Sequence, residues 1–146
     1  DLLPCLNTLS ANFKLACSML GGHGIQPVFE MINGTDMPRF LVQNIAQAQE
    51  MLEAVQHPAL KMQYDCYHMA MMGEDVLEGL QENIESIGHI QFADCPGRHE
   101  PDTGKIDYAQ LFAWLKQSAY AGYTAAEYRP SQASEKTFAW KDKYFA

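Results

Sequence analysis

A fourfold alternation of extended and helical segments, following an opening helix, constrains the fold of this chain more than any other feature. Short apolar runs predict strands at 25–30, 59–65, 89–93 and 123–128. Apolar residues at three- and four-residue spacing predict helices near 9–20, 41–55, 75–87, 107–121 and 134–144. Because each helix must return the chain to the same end of the sheet before the next strand, the alternation predicts an α/β fold with a parallel sheet.

The spacing of polar residues at the four strand ends favours a barrel over an open, doubly wound sheet. Glu30, Asp65, Gln91 and Glu127 are separated by 35, 26 and 36 residues, close to the roughly 31 residues per unit of a (β/α)8 TIM barrel of about 250 residues. Residues 1–146 are therefore predicted to form a single domain, four βα units with a leading helix, which is half of such a barrel. A doubly wound domain that binds sugars or nucleotides ranks last, because no G-x-G-x-x-G turn follows the first predicted strand.

The composition disfavours several classes of partner. The chain has 146 residues, of which 47% are hydrophobic and 19% charged, as in an ordinary globular domain. Its 18 acidic residues outnumber 10 basic ones, and the net charge of −8 disfavours nucleic acid and anionic membrane surfaces. No apolar run approaches the roughly 18 residues of a membrane-spanning helix. The four cysteines form no C-x-x-C pair, so neither a zinc site nor a dense disulfide framework is expected, and a reducing cytoplasm is the predicted compartment.

Each predicted strand ends in a side chain that can bind a cation or move a proton, although a strand buried on both faces should be apolar throughout. These side chains belong to Glu30, Asp65, Gln91 and Glu127. In a barrel they would meet at one rim, where three carboxylates and an amide oxygen indicate a hard divalent cation such as Mg²⁺ or Mn²⁺. The alternative is that each carboxylate caps the following helix or faces solvent, and that Gln91 hydrogen-bonds the backbone.

The segment 94–104 has no periodicity and is crowded with charged residues, glycines and prolines, which predicts a long loop after the third strand. On this loop, Arg98 could bind the carboxylate of an acid substrate through two parallel N–H donors. The alternative is a surface turn in which Arg98 pairs with Glu100 or Asp94.

A series of short motifs resembles those of a known enzyme family. They are FEMIN at 29–33, DMP at 36–38, QYDCYHM at 63–69, GHIQFAD at 88–94, PGRHEP at 96–101, TG at 103–104 and EY at 127–128. Together they cover nearly the whole chain, which resembles the hydroxypyruvate isomerase family of xylose isomerase-like TIM barrels. The resemblance implies the C-terminal half of the barrel, since chains of that family are about twice as long by barrel arithmetic.

The resemblance also implies roles for individual residues. Carried over by position, the implied metal ligands are Glu30, Asp65, Gln91 and Glu127. Glu30 and Glu127 would also form the acid/base pair, while His68 and Arg98 would hold substrate oxygens. The implied reaction interconverts hydroxypyruvate and tartronate semialdehyde by proton transfer through an enediolate. By itself, His68 could equally be an ordinary buried histidine.

Two alternatives to a hydroxypyruvate isomerase stay open. Relatives that act on 2-oxo four-carbon sugar acids share much of the loop pattern, so the small-molecule substrate could be another 2-oxo acid or sugar. A half-barrel that keeps the site residues but lacks the opposite wall would instead be non-catalytic. Its two open sheet edges would favour pairing with a second copy, so a homo-oligomer is also predicted.

Overall fold

A computed structural model describes residues 2–146 of the chain, and helices alternate with strands along this part. The strands are β1 (Val28–Glu30), β2 (Lys61–Asp65), β3 (Ile87–Phe92) and β4 (Tyr123–Ala126). The helices are α1 (Leu3–Gly21), α2 (Ile45–Val55), α3 (Cys66–Met71), α4 (Val76–Asn83), α5 (Tyr108–Gln117) and α6 (Ala139–Phe145). Two short 3₁₀ turns lie at Ile84–Ser86 and Ser134–Lys136.

The four strands form one parallel sheet in the order β1-β2-β3-β4. Strand order in a doubly wound sheet reverses at a switch point, whereas a barrel adds each new strand beside the previous one. The sequential order therefore confirms the predicted half of a TIM barrel. β1 and β4 each have one edge without a partner strand among the described residues, and the β4 residue Tyr123 is 85% exposed.

The strand boundaries differ from the predicted ones at both ends of the sheet. β1 starts only at Val28, because Pro27 has no N–H to give to a ladder, although its carbonyl still accepts a hydrogen bond from the Lys61 N–H at 3.2 Å. β4 ends at Ala126, so the prediction of a strand to residue 128 was wrong. Glu127 lies one residue past the strand, and its N–H donates to the Phe92 carbonyl at 3.0 Å.

Side-chain caps fix where the helices begin. Asp75 accepts from the Leu77 and Glu78 N–H groups in the first turn of α4, and Asp107 accepts from the Gln110 N–H in the first turn of α5, as their positions predict. Asn44 caps α2, so this helix starts later than the apolar spacing suggests. α4 ends at Asn83, and Ile87 belongs to β3 and not to the helix.

The core lies between the inner strands and the helices that cover one face of the sheet. Its fully buried side chains include Met62, Tyr64, Met69, Leu80, Ile90 and Leu111. β2 and β3 contribute most of the buried strand residues, because each has a strand on both sides. The groups at the carboxyl ends of the inner strands thus rest on a buried part of the sheet. Within residues 2–146, no helix is long and apolar enough to cross a membrane.

Candidate metal and substrate site

The predicted strand-end residues come together at the carboxyl end of the sheet. Glu30 and Asp65 are the last residues of β1 and β2, Gln91 is the penultimate residue of β3, and Glu127 follows β4 directly. Asp65 and Gln91 are direct neighbours in the parallel register. In barrels of this class, the carboxyl ends of the strands carry the active site.

Asp65 uses its two carboxylate oxygens for different purposes. Oδ1 accepts from the Tyr67 N–H at 2.8 Å and so caps α3, the short helix that starts right after β2. Oδ2 is buried and has no hydrogen-bond partner within the described part of the chain. The capping alternative raised by the sequence is therefore correct for one oxygen, and the other is free to bind a ligand.

Glu30, Asp65 and His68 form a compact group whose candidate ligand atoms all lie within 4.8 Å of one another. His68 Nε2 is 3.9 Å from Glu30 Oε1 and 3.8 Å from Asp65 Oδ2. Glu30 Oε1, like Asp65 Oδ2, is buried with no hydrogen-bond partner among residues 2–146. Two unsatisfied carboxylate oxygens beside an imidazole make this group a candidate metal-binding triad.

The electrostatics of the group reflect its burial. Desolvation, and then the charge of Asp65, raises the pKa of Glu30 to about 7. Desolvation also raises the pKa of Asp65 to about 6, against the opposing effects of the Tyr67 N–H and Arg98. Burial, followed by the nearby Arg98 cation, lowers the pKa of His68 to about 4. Near neutral pH, His68 is therefore a neutral imidazole.

Gln91 makes a side-chain contact that the sequence analysis missed. Its Oε1 accepts from Gln63 Nε2 at 2.5 Å. Gln63 lies opposite Glu30 in the sheet, and its amide also lowers the pKa of Glu30 by hydrogen bonding. A sequence signal for Gln63 was present. Gln63 and Asp65 are two residues apart on β2, and alternate residues of a strand lie on the same face.

Arg98 pairs with two of the predicted ligands, and its contacts differ from those of a surface turn. Its Nη2 lies 2.7 Å from Glu127 Oε2 and 3.6 Å from Asp65 Oδ2. The guanidinium carbon sits 4.9 Å from the centre of the Tyr67 ring. The alternative pairing with Glu100 is not the one observed, since Glu100 accepts from the backbone N–H and hydroxyl of Ser131.

The loop after β3 owes its shape to the buried acceptor Asp94, which the sequence analysis considered only as a possible partner for Arg98. Asp94 is 1% exposed and accepts from the N–H groups of Cys95, Thr103 and Ile106. A side chain at Gly104 would collide with Asp94 and the Cys95 carbonyl, which explains the glycine. The loop thereby places Arg98, in a left-handed conformation with φ of 55°, beside the strand ends.

Comparison with known proteins identifies the family. A family model for the xylose isomerase-like TIM barrel matches residues 3–144. The chain belongs to this family. Membership confirms the resemblance noted from the motifs, and it makes the chain part of an enzymatic family whose relatives are named as isomerases.

Curated relatives in the family carry two related activities in their names. The chain is 37% identical over 137 residues to hydroxypyruvate isomerase of Escherichia coli, covering 94% of this chain and 53% of the relative. It is 34% identical over 144 residues to 2-oxo-tetronate isomerase of Cupriavidus necator, covering 99% of this chain and 55% of the relative. The chain thus spans about half the length of the curated relatives it matches.

Solved structures show the same half-length match. A crystal structure described as an AP endonuclease of family 2 from Brucella melitensis superposes with a TM-score of 0.93 at 32% identity, covering 99% of this chain and 56% of that one. The 3-keto-D-glucoside 4-epimerase of E. coli gives a TM-score of 0.83 at 22% identity, covering 98% and 55%. The second likeness shows the shared fold alone.

Proposed function

We propose that this chain carries the catalytic rim of a divalent-metal-dependent isomerase that interconverts hydroxypyruvate and tartronate semialdehyde. The observation that supports this most is the pair of buried carboxylate oxygens, Glu30 Oε1 and Asp65 Oδ2, that lack any hydrogen-bond partner in the described chain. A buried carboxylate without a donor is costly, so such a pair needs a cation to be stable in its ionised form.

The donor set fits a hard divalent cation. Glu30 and Asp65 offer the unsatisfied oxygens. Gln91 and Glu127 lie at the same rim, and they would complete an oxygen-rich ligand set by exchanging their contacts with Gln63 and Arg98 for the cation. Mg²⁺ and Mn²⁺ favour such carboxylate and amide oxygens. When bound, the cation would stabilise the negative charge that develops on the substrate oxygens during proton transfer.

Glu30 and Glu127 are the proposed acid/base pair. One carboxylate removes a proton from the hydroxymethyl carbon of hydroxypyruvate, which leaves an enediolate. The other, which must enter the step as the carboxylic acid, gives its proton to the former carbonyl carbon, and the hydroxyl proton moves from one substrate oxygen to the other, so that the carbonyl shifts by one carbon. Proton exchange with water then restores both carboxyl groups to their starting states. In the metal-free site, desolvation and the charge of Asp65 raise the pKa of Glu30 to about 7, so this carboxyl group can take up a proton near neutral pH.

His68 and Arg98 are the proposed substrate-binding residues. His68 Nε2 faces the space beside Glu30 and Asp65, where a substrate oxygen would lie. Arg98 is held by stacking on Tyr67 and by a loop with buried anchors, so its guanidinium can pair with a substrate carboxylate at low entropic cost.

Other functions fit the observations less well. A 2-oxo-tetronate substrate has the same carboxylate and adjacent carbonyl, so it is the second candidate and is supported by the relative of that name. A nuclease activity is disfavoured, because a net charge of −8 on this chain opposes a phosphate backbone. A non-catalytic half-barrel is the third candidate, since the chain spans about half of its relatives. Four free cysteines fit the proposed cytoplasmic setting.

Metal-dependent stabilisation tests the proposal. In a complete barrel that contains this chain, metal at 100 times its dissociation constant should add about 2.7 kcal/mol, or roughly 5–10 °C in Tm. Asp65→Asn, which keeps the α3 cap, should lose that shift and lose hydroxypyruvate turnover. Asp75→Asn makes the same change at the cap of α4 and should keep both.

The outcome separates the candidates. An unchanged metal shift in Asp65→Asn would remove Asp65 from the ligand set. A normal metal shift without hydroxypyruvate turnover, but with turnover of a 2-oxo-tetronate, would transfer the activity to the second substrate.

A further inference from the structure

Asn33 is a buried residue after β1 whose amide orientation is fixed by its neighbours. Its Oδ1 accepts from the N–H groups of Thr35 and Asp36 at 3.0 and 2.8 Å. Its Nδ2 donates to Asp36 Oδ2 at 3.0 Å. In the flipped amide, the NH₂ group would face the N–H groups of Thr35 and Asp36, and the amide oxygen would face the Asp36 carboxylate. Both contacts would be repulsive, so the position of the nitrogen is determined.

The second hydrogen of the Asn33 amide points to His68. Asn33 Nδ2 lies 2.6 Å from His68 Nδ1, and the Asn33 backbone N–H also approaches that nitrogen at 3.4 Å. Two donors converge on Nδ1, so this atom must offer its lone pair. The ring proton is then on Nε2, which faces Glu30 Oε1 and Asp65 Oδ2.

The contact between Asn33 and His68 is anchored from outside the site. Asp36 Oδ2, which receives one Asn33 hydrogen, also accepts from the Tyr67 hydroxyl at 2.8 Å. Hydrogen bonds from Asn33 and Tyr67 lower the pKa of Asp36, so its carboxylate remains an acceptor. Tyr67 precedes His68 on α3, and the network therefore ties the segment after β1 to the helix after β2.

We propose that Asn33 is a positioning residue that locks His68 in the tautomer with its proton on Nε2, so that His68 donates to a substrate oxygen and does not bind the metal. Within the candidate triad, this leaves Glu30 and Asp65 as ligands. A metal-binding Nε2 would need the proton on Nδ1, where it would face the Asn33 donor at 2.6 Å. The donor role rests on the proposed function, whereas the tautomer rests on the Asn33 contacts alone.

The tautomer can be measured without activity or metal. Long-range ¹H–¹⁵N spectra of a complete-barrel protein, with the His68 signals assigned by their loss in His68→Gln, distinguish a protonated ring nitrogen from an unprotonated one. We expect Nδ1 of His68 to be unprotonated and Nε2 to carry the hydrogen. A protonated Nδ1 in the wild-type protein would overturn the proposal, whether or not any variant folds.

Asn33→Asp replaces the hydrogen-bond donor next to His68 Nδ1 by an acceptor and hardly changes the shape of the side chain. The new carboxylate oxygen would lie against Asp36 Oδ2, and a proton held on Asp36 relieves their repulsion. The same oxygen then accepts from the ring, so the His68 proton should move to Nδ1 and leave a lone pair on Nε2. Mn²⁺ electron spin-echo spectra should then show a coordinated nitrogen that is absent from the wild type. Metal affinity should hold or rise, while kcat for hydroxypyruvate falls by roughly 100-fold, the effect of losing a donor to a developing oxyanion.

The paired readouts separate a positioning role from a structural one. If Asn33 only supported the fold, Asn33→Asp would weaken metal binding and activity together and leave the tautomer unchanged, and that result would overturn the proposal. Asn44→Asp, which adds the same charge at the cap of α2, should change neither the His68 spectrum nor kcat. If the wild type shows the predicted tautomer but turns over no 2-oxo acid, the positioning role stands and the proposed function fails.

Discussion

The two sides of the candidate site differ in how their charges are satisfied. On the buried side, the side chains of Asp65 and His68 are 0% and 3% exposed, and Glu30 is 23% exposed. The buried side holds two carboxylate oxygens without a partner. The open side takes its name from Glu127, which is 52% exposed and forms a close ion pair at 2.7 Å with Arg98, a residue that is 20% exposed and so similar to Glu30 in burial.

This difference separates the two tasks of the site. An ion pair with one partner half exposed is screened by water and contributes about 0–1 kcal/mol, so it can open for a substrate at little cost. Buried carboxylates cannot be screened in this way and require a compensating cation. Metal binding should therefore depend most on Glu30 and Asp65 of the buried side, with Glu127 joining them once its ion pair with Arg98 opens, and recognition of the substrate carboxylate should depend on Arg98. Arg98 links them through its 3.6 Å contact with Asp65.

The largest effect should come from strands that cover the free edges of β1 and β4. The chain of residues 1–146 by itself leaves β1 and β4 with free edges, so its side chains at the rim should lack the positioning that catalysis needs. We expect no hydroxypyruvate turnover from this chain by itself, together with oligomerisation or dye-binding apolar surface. Turnover should appear when the N-terminal half of the barrel is fused or co-expressed.

Two measurements check this expectation. Proton NMR follows the conversion of hydroxypyruvate directly, and size-exclusion chromatography with light scattering gives the oligomeric state. Substantial turnover by a monomeric chain of residues 1–146 would contradict the need for further strands on these edges.

The buried side was largely predictable from sequence, because strand ends can be located by hydrophobic pattern. Acids at the ends of apolar runs, as at Glu30 and Asp65, conflict with burial unless they have a function, and this conflict is visible in the sequence. The short helix α3 was missed, since six residues are too few to show helical periodicity. The contact of Asn33 with His68 could not be predicted from the sequence either, because the two residues are 35 apart in the chain.

The open side was predictable in residue identity but not in pairing. Sequence proximity suggested Glu100 or Asp94 as partners for Arg98, whereas the observed partner, Glu127, is 29 residues away. That pairing depends on how the loop after β3 approaches the end of β4, where the Arg129 N–H donates to the Arg98 carbonyl at 2.7 Å. Such contacts between loops are set by tertiary packing and leave no local pattern.

Arg98→Lys should give the next largest effect and tests the open side. Lysine keeps the charge but cannot donate through two parallel N–H groups or stack as a planar group on Tyr67. In a complete barrel, we expect KM for hydroxypyruvate to rise roughly tenfold or more, with a smaller change for an uncharged ketose. The metal-induced shift in Tm should persist, because the ligands on the buried side are intact.

Steady-state kinetics on both substrates and a melting curve with Mn²⁺ provide the check. Lys143, an exposed cation paired with Asp102, offers a matched control, and Lys143→Arg should leave KM unchanged. Equal losses on the acid and the uncharged substrate would show that Arg98 acts structurally, and the proposed division between the two sides would then fail.

The smallest effect should appear in the pH dependence of stability, which tests the buried side. The pKa of Glu30 is about 7 in the folded protein, above its ordinary value of 4.5, so the native state binds more protons than the unfolded state between these values. The contribution of Glu30 to stability is therefore fully present below about pH 4.5 and is lost as the pH rises through about 7.

In metal-free protein, Glu30→Gln removes this titration, so Tm of the wild type should fall by a few degrees relative to the variant between about pH 5 and about pH 8. The raised pKa of Asp65 acts in the same direction as that of Glu30, and the lowered pKa of His68 acts in the opposite direction as the pH falls. Both residues are present in both proteins, so the difference between the two proteins reports Glu30 and its coupling to Asp65. Calorimetry across this range measures the difference, and saturating Mn²⁺ should reverse its sign at pH 8, since only the wild type retains the Glu30 ligand. A difference in Tm that stays constant with pH would show that folding adds no free-energy cost to the ionisation of Glu30. The two sides of the site would then not differ in how well their charges are compensated.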